Sequence, residues 1–296
     1  MKKLITLACA LFAFSAMAAN QPLVETQTTA RSIGLRADKL IDDVLTVTGI
    51  KENLQNLPDQ IGQGIRMSAQ NNPARIPEDV ILEMEDAAME AYSSEALIAG
   101  IATVLKEKWH EPRLREVFEI SSTPLSRRMT VLESKQPAPA ELGAYISRLA
   151  TQPLPPTRLT LIKQLDAISR GSEFAIKILS STVHSVAIGV TGGCGDGNAE
   201  FNKKFAAQRG QFEENIRNST RAQMAYIYRD ASDTDLRKYL KSLSKESMRW
   251  FGATVYDAID KGLTASGEQM GRNLQEVFKK KLGGSNKGAT GGCQEV

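Results

Sequence analysis

Apolar residues recur at intervals of three and four along most of this chain, and this spacing constrains the fold more than any other feature. Residues three or four positions apart share one face of a helix, whereas strands alternate apolar and polar residues. The first stripe, predicted to lie on one helix, consists of Ile50, Leu54, Leu57, Ile61 and Ile65. Alternating runs are scarce, so the sequence predicts an all-α fold of bundle-like domains.

The same rhythm continues through both halves of the chain. Further stripes are Val80, Ile81, Met84 and Ala88; Leu97, Ile101, Val104 and Leu105; Leu161, Ile162, Leu165 and Ile168; and Phe201, Phe205, Phe212 and Ile216. Ser232, with Asp235 three residues later, is typical of a helix N-cap close to a capping box. These signals favour helices throughout and leave little room for a sheet.

A proline-rich stretch, residues 136–157, separates two halves with similar patterns. Proline lacks an amide donor and disfavours helix in the residue before it, so PLPP is predicted to be extended. A short helix with Leu142, Ile146 and Leu149 on one side is predicted inside this connector.

The two halves resemble each other in sequence. KLIDDVLTVTG, from Lys39, matches TLIKQLDAISR, from Thr160, at an offset of 121 residues. LREVFEISSTPLSRRM, from Leu114, matches LRKYLKSLSKESMRWF, from Leu236, at an offset of 122 residues. We therefore predict two tandem helical repeats, residues 19–135 and 158–278; the alternative is the shared patterning of unrelated amphipathic helices.

The first 18 residues have the layout of a cleaved secretory signal peptide. Two lysines precede an apolar run that is too short to span a membrane, and Ala16 and Ala18 form an Ala-x-Ala type cleavage site. The mature chain is predicted to be periplasmic and not an integral membrane protein. Removal of Lys2 and Lys3 lowers the 37 basic residues to 35, against 34 acidic residues. This balance gives no support to nucleic-acid binding.

Two cysteines remain after Cys9 leaves with the signal peptide. Cys194 and Cys293 each follow Thr-Gly-Gly, the first in a glycine-rich turn and the second in a predicted flexible tail, residues 279–296. Two cysteines in an exported chain usually pair, so an intrachain disulfide is predicted. Pairing between chains and a reversible redox pair are the alternatives.

Motifs for catalysis, cofactors and metals are largely absent from the sequence. Glu107 and His110 have the Glu-x-x-His spacing of a metal-binding helix, but no second pair accompanies them. The glycine-rich segment from Gly189 lacks the preceding strand and following lysine of a phosphate loop. We predict no catalytic, cofactor-binding or metal-binding residues. The sequence does not decide whether Tyr226 and Tyr228 line a groove or lie on a helix surface.

The segment YRDASDTDLRKYLKSLSKESMRWF, Tyr228 to Phe251, resembles a bacterial exported family, domain of unknown function 2059. The first half retains the Ser-Thr-Pro-Leu-Ser break at residues 122–126, and the resemblance extends over residues 40–133 and 161–259. It implies a helical, secreted or periplasmic domain without established catalytic residues.

Two functions follow as hypotheses. The first is a non-enzymatic module that binds an unknown protein or envelope partner. The alternative is an enzyme or small-ligand carrier with its site between the two repeats. A pocket with converging buried carboxylates would favour the alternative.

Overall fold

The computed structural model describes residues 29–70, 76–135, 137–191 and 196–282. Within these ranges the chain forms thirteen α-helices and no strand, which confirms the all-α class. The helices are α1 (Thr29–Val47), α2 (Ile50–Gln55), α3 (Leu57–Gln70), α4 (Glu78–Ala91), α5 (Ser94–Glu107), α6 (Glu111–Ser121), α7 (Pro124–Glu133), α8 (Pro139–Thr151), α9 (Pro156–Ser169), α10 (Gly171–Thr191), α11 (Asp196–Ile227), α12 (Asp233–Leu243) and α13 (Glu246–Leu282).

Four of the five residues of the first predicted stripe are buried and Ile50 is half-buried, but the stripe does not lie on one helix. Leu54, Leu57 and Ile61 are almost fully buried, yet the chain turns at Asn56, between α2 and α3. Pro58 explains the break because its ring nitrogen has no hydrogen to donate to the preceding turn. The apolar pattern therefore predicts correctly that most of these residues are buried, but its prediction that they lie on one continuous helix is wrong.

The connector contains a longer helix than the sequence predicts. Helix α8 spans Pro139–Thr151, and α9 begins at Pro156 after the extended prolines. Leu142 is buried, as predicted, but Ile146 is 37% exposed and Tyr145 is buried instead. The side of this helix that packs inward is thus rotated from the predicted one.

Two large hydrophobic clusters, and a small one around Ala175 and Ile216, hold the helices together. The first joins α1–α6 to α10 and α13, with Val44, Ile101 and Leu274 fully buried. The second joins α7–α9 to α11 and α12, around Met129 and Ile162. Each large cluster contains helices from both predicted repeats.

Helix bounds recur at the offset seen in the sequence. Helix α6 begins at Glu111 and α12 at Asp233, 122 residues later, and both are 11 residues long. Gly49, with φ 57°, and Arg170, with φ 56°, adopt the left-handed conformation 121 residues apart. These recurrences support the duplication, which stays a prediction.

Helices α10 and α13 approach each other closely through glycines. A Cβ atom placed on Gly189 would lie 2.5 Å from Cβ of Leu274 and 3.2 Å from Cε2 of Phe278. Ser185 of α10 donates a hydrogen bond of 2.6 Å to the carbonyl of Gly267 on α13. The close contact between α10 and α13 therefore depends on the absence of a Cβ atom at these glycines.

Gly189→Ala is expected to destabilise the fold by about 1–3 kcal/mol, the usual cost of overpacking a closed contact. Urea denaturation measures the free energy of unfolding. Gly100→Ala is the matched control, because a Cβ on Gly100 meets no atom within 4 Å. The control is expected to gain up to about 1 kcal/mol from helix propensity. Equal effects of the two substitutions would contradict this account.

None of the helices in the described ranges is long and apolar enough to cross a membrane. The predicted signal peptide, residues 1–18, lies outside the described residues, as do Cys194 and Cys293. The export signal and the disulfide stay predictions.

Candidate ligand-binding cavity

A cavity of about 400 Å³ lies between the two large hydrophobic clusters. This volume falls within the range of small-molecule sites, which are mostly apolar with a few placed polar groups. Its apolar lining includes Leu54, Leu165, Phe174, Met224, Phe251 and Val255. Both halves of the chain therefore contribute to its walls.

One wall of the cavity is polar and buried. Ser126, Thr130 and Glu133, spaced by four and three residues, lie on one face of α7 and line the cavity. All three are at most 7% exposed. Ser121, at the end of α6, extends this polar wall. A helix normally buries its apolar face, so a buried polar face needs another explanation.

Glu133 is the central group of the polar wall. Tyr228 and Tyr239 both donate hydrogen bonds to Oε1 of Glu133, the latter at 3.1 Å. Burial raises the pKa of Glu133 from 4.5 to about 7, against the opposing effect of the two tyrosine hydrogen bonds. Burial likewise raises the pKa of each tyrosine well above its usual 10. The site thus holds a carboxyl that titrates near neutrality.

A network around Asp166 positions the wall formed by the end of α9. Asp166 accepts hydrogen bonds from the backbone amide and hydroxyl of Ser172, both at 2.8 Å. Arg221 of α11 donates another at 2.8 Å. The carboxylate therefore caps α10 and fixes the left-handed turn at Arg170, whose neighbours Ile168 and Ser169 line the cavity.

Several exposed residues mark the mouth of the cavity. Arg249, Gly252 and Ala253 line it and are exposed to solvent. Arg170 lies over the ring of Tyr256 at 3.5 Å and donates a 2.6 Å hydrogen bond to Glu173. The mouth is thus bordered by α13 and by the turn between α9 and α10.

The two tyrosines whose roles the sequence did not decide occupy different environments. Tyr228 lines the cavity, whereas Tyr226 donates a 2.6 Å hydrogen bond to Glu141 of α8.

The Glu-x-x-His pair does not lie on one helix. Glu107 ends α5, and His110 is the N-cap of α6, where its Nδ1 accepts from the amide of Arg113 at 3.3 Å. The predicted single helix for that pair is wrong, because α5 ends between them.

Glu133, Tyr239 and the polar face of α7 were not predicted from the sequence. The sequence does contain one indication of this face. Ser126, Thr130 and Glu133 are polar residues spaced by four and three positions, which places them on one side of a helix. Such a stripe normally indicates a solvated face. Only the surrounding helices show that it is buried.

Comparison of the chain with models of protein families, with curated proteins and with solved structures finds no match in any of the three. The resemblance to domain of unknown function 2059 therefore stays a prediction. The function proposed below is argued from the cavity.

Proposed function

We propose that this chain is an exported, periplasmic binding protein that carries a small, mainly apolar molecule with one polar group. The observation that carries the proposal is the cavity with its apolar lining and the buried Glu133. An apolar pocket with a few convergent polar groups and a perturbed pKa is the usual pattern of a ligand site.

Of the two functions expected from the sequence, the cavity supports the small-ligand carrier over the module for a protein partner. The polar wall supplies hydroxyl and carboxyl groups that can orient a ligand. The described residues that line the cavity include no histidine and no cysteine, and Glu133 is their single carboxyl. This set suits recognition, so we propose binding and not catalysis.

Filling the cavity is expected to remove binding. The Val255→Phe variant places a ring where a buried valine lines the cavity. We expect the fluorescent apolar probe N-phenyl-1-naphthylamine to bind the wild-type chain at one site. In the variant, affinity should fall at least about tenfold, equivalent to ~1.4 kcal/mol. A fluorescence titration provides the measurement.

Val131→Phe is the matched control, because Val131 is 44% exposed and does not line the cavity. It should bind the probe like the wild type. Thermal unfolding checks that both variants are folded. A wild-type chain that binds no apolar probe, or equal binding by both variants, would overturn the proposed function.

A further inference from the structure

Glu133 is a buried acid that forms no ion pair with a lysine or arginine of the described residues. Burial raises its pKa, and the groups that oppose this effect are the hydroxyls of Tyr228 and Tyr239, not a lysine or arginine. Buried acidic groups in proteins are usually paired with a cation or held neutral. Arg170 and Arg249 line the cavity at its mouth, so an ionised Glu133 is the negative group of the polar wall and has no cation paired with it there.

The hydrogen bonds around Glu133 suit its ionised form. Both tyrosines donate to Oε1, and a carboxylate accepts such bonds more strongly than a neutral acid. Within the described part of the chain, no hydrogen bond reaches Oε2. A neutral acid would need an acceptor for its own proton at that oxygen. Oε2 is thus the free acceptor of a side chain that is 7% exposed and lines the cavity.

The remainder of the polar wall offers further acceptors. The hydroxyl of Thr130 has no hydrogen bond among the described residues, and Thr130 lies one helical turn before Glu133 on α7. An ammonium group has several N–H donors and no acceptor. It can satisfy Oε2 and a hydroxyl together, which a carboxylate ligand cannot do.

We propose that the cavity takes a lipophilic primary or secondary amine, whose ammonium group binds Oε2 of Glu133 while its apolar body fills the rest of the cavity. This assignment rests on the proposed function. It names the ligand by charge and shape: a cation opposite the carboxyl and a hydrocarbon or aromatic body against Met224, Phe251 and Val255. An anionic amphiphile would place like charge next to Glu133.

The test compares octylamine, octanol and octanoate by calorimetric titration of the mature full-length chain. We expect octylamine to bind at least about fiftyfold more tightly than the other two, the size expected for hydrogen bonds to a charged group. Glu133→Gln should lose this advantage, because the amide keeps the shape and removes the charge. Glu141→Gln is the matched control: Glu141 also accepts from a tyrosine but does not line the cavity. It should leave octylamine binding unchanged.

A second measurement does not depend on any variant. Where Glu133 is protonated, binding of the ammonium form leaves a carboxylate and releases one proton to the buffer. Titrations near pH 6 in buffers of different ionisation enthalpy count this proton, and octylamine should bind more tightly at about pH 8 than at about pH 6. Octanol should show neither effect.

The outcomes separate the two proposals. If octanol and octylamine bind equally in the wild type and in Glu133→Gln, the amine assignment is wrong and the proposed carrier function survives. Preferential binding of octanoate would also overturn the amine assignment. If neither these compounds nor N-phenyl-1-naphthylamine binds, the proposed function fails first and the amine assignment fails with it.

Discussion

Asp166→Ala is expected to lower the free energy of unfolding by about 3–5 kcal/mol, the usual cost of breaking a buried pair from one side. Asp166 is 3% exposed and accepts from the amide and hydroxyl of Ser172 and from Arg221. Removal of the carboxylate leaves the amide and hydroxyl of Ser172 and the guanidinium of Arg221 without their hydrogen-bond acceptor. Urea denaturation at neutral pH measures the loss.

Two further substitutions define the origin of this effect. Asp257→Ala removes an exposed aspartate that pairs with Lys108 at 3.6 Å, and such pairs contribute at most about 1 kcal/mol. Asp166→Asn keeps an acceptor for the amide of Ser172 and should fall between the two alanine variants. If Asp166→Ala and Asp257→Ala have the same stability, Asp166 does not organise the turn before α10.

Glu133→Gln is expected to remove a pH dependence of stability. The pKa of Glu133 is about 7 in the folded chain, against an ordinary 4.5. Between these values the folded chain binds more protons than the unfolded chain, so the free energy of unfolding falls as the pH rises. The contribution of Glu133 is present at low pH and lost through neutrality, and it amounts to about 3 kcal/mol.

The measurement is the difference in unfolding free energy between Glu133→Gln and the wild type, taken from about pH 4 to about pH 8. Other carboxyl groups titrate in both proteins, so their contributions cancel in this difference. It should move by about 3 kcal/mol in favour of the variant as the pH rises. Glu141→Gln should give a flat difference. A flat difference for Glu133→Gln would show that Glu133 ionises as an ordinary exposed carboxyl does.

Much of the helical framework could be predicted because periodicity reports burial directly. Val80 and Met84 are buried as predicted, and Ser232 caps α12 by accepting from the amide of Asp235 at 3.1 Å. The errors occur where one residue outweighs the pattern. Pro58 separates α2 from α3, and α8 packs through Tyr145 instead of Ile146.

The cavity could not be predicted in the same way, because its polar wall has the sequence of a solvated helix face. Ser126, Thr130 and Glu133 are ordinary surface residues by composition. Their burial depends on α11 and α12, which bring Tyr228 and Tyr239 to Glu133 across about a hundred residues of sequence. The sequence assigned no residue to the expected site between the halves, and it left open whether Tyr226 and Tyr228 line a groove.

The offset of 122 residues also bears on the symmetry of the cavity. Ser126, Thr130 and Glu133 correspond at this offset to Met248, Gly252 and Val255, and all six residues line the cavity. In a dimer of identical subunits, positions related by the twofold axis carry identical side chains, so one carboxyl would face another. A single chain is free of that constraint. The position of the acid on one wall is taken by the hydrocarbon of Val255 on the other, so a molecule with one polar end has one preferred orientation inside the cavity.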